Sequence, residues 1–226
     1  DETTQQSINR GLELAKWADG QKFERYWVAE HHNSKSISCS ATDLIIGYIL
    51  ENTQRIKVGA GGVMLPNHTP FQVAERYGTL ETLYPERVDL GIGRAPGTDI
   101  ETAKLIYRNT YKEDNFKEAI RTLLSYFEEE AENFNVRPYP GVGTHVPVYI
   151  LGSSMTSAHI AAQLGLPYSF AGHFSPNTVD VALKIYREEF TPSKYLDKPY
   201  VMLGVSANAA YEKDAAEHIK PVSYTH

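Results

Sequence analysis

Apolar residues along this chain recur in two alternating rhythms. Within residues 3–20, Ile8, Leu12 and Ala15 stand four and three positions apart, a helical stripe that stops at Gly20. FERYWVAE follows as a short apolar and aromatic run of strand length. Ser40 and Asp43 make a capping-box pattern ahead of LIIGYIL, which predicts a second helix ending near Asn52. IKVGAGGVML reads as a strand that contains three glycines. Thr69-Pro70-Phe71-Gln72 opens a helix with a Thr cap, Pro at the first helical position and Gln three residues after the cap, and Val73, Tyr77, Leu80 and Tyr84 line its face. VDLGIGRA is strand-like, and beyond a long polar loop Phe116, Ile120, Leu123 and Phe127 mark another helix. VPVYILG predicts a strand, SMTSAHIAAQLG a helix ending at Gly165, and YSFAG a strand. Ser175-Pro176 starts a helix with the stripe Val179, Ala182, Tyr186 and Phe190; YVMLGVSANA is the last strand and YEKDAAEHIK a last helical piece.

Each of the six predicted strands is followed by a helix, and the strands are continuously apolar rather than alternating. Such strands are buried on both faces, as in parallel sheets. The order fits a (β/α)8 TIM barrel that lacks its first strand and its end, because a complete barrel takes about 250 residues and this chain has 226. An open doubly wound sheet is the rival architecture. With 42% hydrophobic residues one core suffices, so residues 1–226 are expected to form a single barrel domain.

Charge and cysteine content narrow the partners. A formal net charge of -6 without a basic block argues against nucleic acid and against an anionic membrane surface. No stretch approaches the roughly 18 apolar residues of a membrane span. The lone Cys39 leaves no intramolecular disulfide to form and fits a reducing cytoplasm.

In both architectures chemistry sits where strands end, and here the strand ends are unusual. The first stops on Glu30-His31-His32, and the others run into GAGGVMLPNH, GIGRAPGTD, LGSSMTS and FAGHFSP. Adjacent histidines in a strand point to opposite faces and do not share a metal, and no Cys or His spacing matches a zinc pattern. Gly59, Gly61 and Gly62 either admit a neighbouring chain or side chain closely or mark a binding surface. Gly152-Ser153-Ser154 ahead of a helix is either a plain Ser N-cap or a phosphate site built from free N–H groups and the positive helix end. Gly91-Ile92-Gly93 followed by Gly97 lacks the spacing of the dinucleotide fingerprint.

Taken in order, AEHHN, VGAGGVMLPNHTPFQVAE, ERVDLGIGRAPGTD and ILGSSMTSAHIAAQLGLPYSFA resemble the bacterial luciferase-like flavin-dependent monooxygenases, in particular their small non-luminescent members. The resemblance runs from about Thr3 to Ala209. It implies a (β/α)8 barrel that binds reduced FMN, or in some relatives the deazaflavin F420, at the C-terminal rim. By the same resemblance His31 matches the catalytic histidine beside the flavin ring. Gly61-Gly62 matches a dipeptide with a non-prolyl cis bond under the ring. Arg94 matches an arginine that reaches the flavin phosphate, and Ser154 and Ser157 match hydroxyls of the phosphate pocket, to which Gly152 and Ser153 lead. Gly93 and Gly97 stand where the light-emitting members carry a cysteine and a tyrosine, which speaks against luminescence.

The implied activity is oxygenation of a small organic substrate by O₂ through a flavin C4a-peroxide, with reduced FMN supplied by a separate flavin reductase. A homodimer is expected through the helices that begin at Asp43 and Pro70. A flavin-binding protein without turnover and an F420- or nicotinamide-dependent oxidoreductase are the alternatives.

Overall fold

A computed structural model of the chain describes residues 2–106 and 115–207. The helical piece expected at 211–220 lies outside the described residues. The chain divides into two compact units, Asp1–Tyr149 and Ile150–His226.

The first unit opens with α1 (Thr4–Gly20), where the Thr3 side chain accepts from the Gln6 amide and the Gln6 side chain accepts from the Thr3 amide. That reciprocal cap leaves Leu12, Ala15 and Ala18 on the buried face. Then come β1 (Arg25–Val28), α2 (Thr42–Glu51), β2 (Lys57–Met64), α3 (Pro70–Leu83), β3 (Val88–Gly93), α4 (Ile100–Ile106) and α5 (Phe116–Tyr126). β1 and β2 pair in parallel with Trp27 opposite Gly59, and β2 and β3 pair in parallel with Gly59 opposite Asp89. All six β3 residues are buried, which is why that strand shows no polar alternation. Thr69 caps α3 through the Gln72 amide as its sequence pattern predicts, and Val73, Tyr77 and Leu80 face inward.

Two local expectations need correction. The Ser40–Asp43 box does not form: α2 starts at Thr42, so the cap position falls on Ala41, which has no side-chain acceptor, and Asp43 lies 3.6 Å from Arg76 of α3 instead. The loop after β3 contains α4, capped by Asp99, whose Oδ1 accepts from the Thr102 amide at 2.9 Å. This helix buries only Ala103, so it carries no apolar stripe to read.

β4 (Val148–Gly152) begins in the first unit and ends in the second. The second unit continues with α6 (Met155–Leu164), β5 (Tyr168–Ala171), a 3₁₀ turn at Pro176–Thr178 that precedes α7 (Val179–Glu189), and β6 (Val201–Gly204). β4, β5 and β6 pair in parallel in chain order. α6 stops at Gly165, whose φ of 62° is the left-handed cap conformation that glycine adopts without strain. α6 buries only alanines, Ala158, Ala161 and Ala162, and packs beside α7. α7 buries Tyr186, whose hydroxyl donates to Leu166 O at 2.8 Å and accepts from the Tyr200 amide at 3.1 Å. Parallel strands in chain order, with a helix following each of the first five, form the repeat of a (β/α)8 barrel, six strands of which lie among the described residues. A doubly wound sheet would reverse its strand order, and within neither unit does the order reverse.

Candidate functional site

β1 ends at Val28, so Glu30, His31 and His32 lie in the loop at its C-terminal end. Strand alternation therefore does not separate the two histidines. Their surroundings do. The Glu30 carboxylate is fully buried and gathers donors from three segments. His32 Nε2 lies 2.7 Å from Oε1, His68 Nε2 is 3.0 Å from each oxygen, Asn67 Nδ2 donates to Oε1 at 2.9 Å, and the Met64 amide donates to Oε2 at 2.9 Å. Burial works to raise the Glu30 pKa, but the hydrogen bond from His68 and the charge of that ring when protonated, with the hydrogen bonds from His32 and Asn67, outweigh it and hold it below the ordinary glutamate range.

Backbone contacts complete the junction. The His31 amide donates to Cys39 O and the His32 amide to Gly97 O, both at 3.0 Å, while Asn67 Nδ2 also reaches Pro96 O at 3.0 Å. Gly97 sits at φ +66°, and a Cβ there would lie 2.7 Å from Glu30 O. The position is thus closed to a larger residue by the loop that holds His31. Burial, with the nearby Glu30 charge, pushes the Cys39 thiol up to about 11, so it stays protonated at neutral pH.

The Gly61-Gly62 peptide bond is cis, and the β2–β3 register shifts between Ala60 and Val63. A Cβ on Gly62 would stand 2.9 Å from Gly91 O, so close backbone approach accounts for that glycine. Gly61 is half-buried. Arg94 is the first residue beyond β3 and is half-buried. Beside the Glu30 cluster, a recess of about 300 Å³ is lined by residues that include Thr42, Asp43, Val63, His68, Arg76 and Tyr77.

In the second unit Gly152 closes β4 and half-buried Ser153 precedes the cap of α6. Ser154 is that cap, its side chain accepting from the Ser157 amide at 3.3 Å. Ser157 Oγ donates to Ser154 O at 2.6 Å and lies 2.9 Å from the Tyr168 hydroxyl. Burial pushes that phenol up to about 12, against the hydrogen bond it shares with Ser157. Both serines therefore serve the helix start directly, as the plain N-cap reading expects. The first-turn amides remain the kind of donor set that suits a phosphate.

Sequence reasoning placed Glu30 at a strand end without a role and passed over His68 and Asn67 inside PNHTP. The available signal was a carboxylate ending one strand and a histidine ending the next, because neighbouring parallel strands bring such ends together. Among the described residues Glu128, Glu129 and His145 also bring ligand atoms within 4.8 Å of one another. There His145 Nε2 pairs with Glu129 Oε1 at 3.0 Å on an exposed surface.

Parallel βα repeats with polar, glycine-rich strand ends place the chain in the barrel class of α/β proteins. The luciferase-like monooxygenase family model matches residues 1–221, and the chain belongs to that family. It is similar to the uncharacterised protein YddN of Bacillus subtilis (strain 168), 50% identical over 219 residues, which are 96% of this chain and 65% of that protein. A luciferase-like monooxygenase of Escherichia coli (strain K12) is 45% identical over 218 residues, again 96% of this chain and 65% of the relative. Among solved structures, apo-MsnO8 matches with a TM-score of 0.84 at 34% identity, covering 89% of this chain and 60% of that one. The chain thus spans just under two thirds of the length of these relatives.

Proposed function

We propose that this chain is the flavin-binding part of a monooxygenase that uses reduced FMN and O₂ to oxygenate a small organic substrate. The observation that carries the reading is the Glu30 junction, one buried carboxylate that ties the loop after β1 to the end of β2 and the segment after it, while its partners Asn67 and His32 reach Pro96 O and Gly97 O after β3. A junction so expensive to bury indicates a rim that must be held still. Family membership supplies the reaction class.

In this reading His31 manages protons at the ring, since an imidazole with an ordinary pKa of about 6.5 suits transfer near neutral pH. Gly61 and Gly62, packed at their α-carbons by the Trp27 ring and the Gly91 carbonyl, offer the flavin ring backbone rather than side chains. Arg94 and the α6 start at Ser154 and Ser157 each offer the donors a flavin phosphate requires, a guanidinium and first-turn amides. When bound, reduced flavin supplies the electrons that split O₂, one atom going to the substrate and the other leaving as water. A separate reductase provides the reduced flavin in a cytoplasmic setting, and F420 is the second cofactor of the same reading. One barrel domain and a homodimer complete the proposal. Dimerisation is supported by Leu44, 72% exposed, and Tyr48, 42% exposed, two large apolar side chains on the outer side of α2.

Titration of the purified protein with FMN and with riboflavin tests the reading. FMN should bind at least about 10-fold more tightly, because a charge-assisted phosphate contact contributes roughly 1.5–3 kcal/mol, and Arg94→Ala should remove most of that preference. Equal affinity for the two flavins would refute the phosphate assignment.

A further inference from the structure

The geometry points to Glu30 as the positioning residue of this rim: by accepting from Nε2 of both His32 and His68, we propose, it fixes both rings, when neutral, in the Nε2–H tautomer and leaves Nδ1 as the lone-pair nitrogen of each.

An ionised carboxylate has acceptors only, so every neighbour within hydrogen-bond distance must donate. Around Glu30 those neighbours are the Met64 amide at 2.9 Å, Asn67 Nδ2 at 2.9 Å, His32 Nε2 at 2.7 Å and His68 Nε2 at 3.0 Å from both oxygens. Glu30 is 0% exposed, which leaves the carboxylate dependent on those donors. A neutral imidazole carries one N–H, so placing it on Nε2 leaves Nδ1 bare. A carboxylate behind the ring also fixes its orientation, as in carboxylate–histidine pairs elsewhere. His31 stands between Glu30 and His32 in the chain, with its own amide held by Cys39 O. The carboxylate thereby sets the backbone from which His31 projects without touching the reacting atoms. The inference rests on the proposed flavin reading for its consequence, and on the hydrogen-bond geometry alone for the tautomers.

Long-range proton–nitrogen correlation spectra of protein labelled with ¹⁵N-histidine, recorded at about pH 9 where histidines are neutral, read the tautomers directly. His32 and His68 are expected as Nε2–H in the unaltered protein, and either ring in the Nδ1–H form overturns the proposal without any variant having to fold. In Glu30→Gln the amide offers one acceptor oxygen and a competing donor, so at least one ring should switch. Unchanged tautomers overturn the proposal as well. The same variant should bind FMN with an affinity within about two-fold of the parent and lose roughly 10–100-fold in turnover with reduced FMN, the usual cost of removing such a partner. Parental turnover in a variant whose tautomers have switched overturns the positioning role. Failure of the unaltered protein to bind FMN at all would instead refute the flavin reading, while the tautomer result still judges Glu30.

Discussion

The Trp27 indole donates to Asp89 Oδ2 at 3.0 Å, reaching from β1 past β2 to β3. The glycines beneath it are what make room. A Cβ on Gly61 would stand 3.0 Å from the Trp27 ring, one on Gly91 would stand 3.4 Å from it, and one on Gly59 would stand 2.7 Å from the Asp89 Cβ. The glycine-rich strand thus admits a neighbouring side chain closely, while Asp89, fully buried, has its pKa raised by burial against the opposing hydrogen bond of Trp27 and the charge of Arg25. Trp27→Phe keeps an aromatic ring but strips this donor, and should cost about 1–3 kcal/mol of stability. Urea denaturation of the two proteins measures it.

Glycine substitutions should separate the crowded positions from the open ones. Gly59→Ala puts a Cβ 2.3 Å from Asp89 O, a backbone atom that does not yield, and should destabilise by roughly 1–3 kcal/mol or more. Gly20→Ala, at the end of α1 with nothing within 4 Å of the new atom, should stabilise by about 0.5–1 kcal/mol. Thermal unfolding midpoints should move in opposite directions.

Asp19 offers a pH-dependent test. Its side chain, 12% exposed, accepts from the amides of Gln54, Arg55 and Ile56 and so ties the end of α1 to the start of β2. Burial acts to raise its pKa, but those three amides and the Arg55 charge bring it below the ordinary value. A depressed carboxylate contributes stability above its unfolded pKa of about 3.9, and the contribution disappears as pH falls through the lower folded value. Asp19→Asn should therefore cost about 1–3 kcal/mol at neutral pH, with the gap to the parent narrowing below about pH 4. A gap independent of pH would contradict this assignment.

His31 and His32 should respond differently to removal. His31→Ala should leave folding and FMN affinity near parental while slowing oxygen transfer by roughly 10²–10⁴-fold, the range for a positioned acid or base. His32→Ala removes a donor 2.7 Å from a buried carboxylate and should cost stability, about 1–3 kcal/mol. Turnover with reduced flavin saturating, measured alongside urea midpoints, distinguishes the two.

The features legible in the sequence are those decided within a few residues. Thr69 and Ser154 cap their helices as read, because a cap depends on a hydroxyl and an amide three positions apart. Strand and helix order was legible because apolar runs and stripes record which faces are buried. Ser40 misled because a cap is decided by where the helix starts, a single residue of difference that tertiary packing sets. Only the folded chain joins Glu30 to His68, 38 residues on, or Arg25 to Tyr149, 124 residues on. Such contacts follow from strand order and register, which place distant strand ends side by side. No local pattern reveals which donors a buried carboxylate will find there.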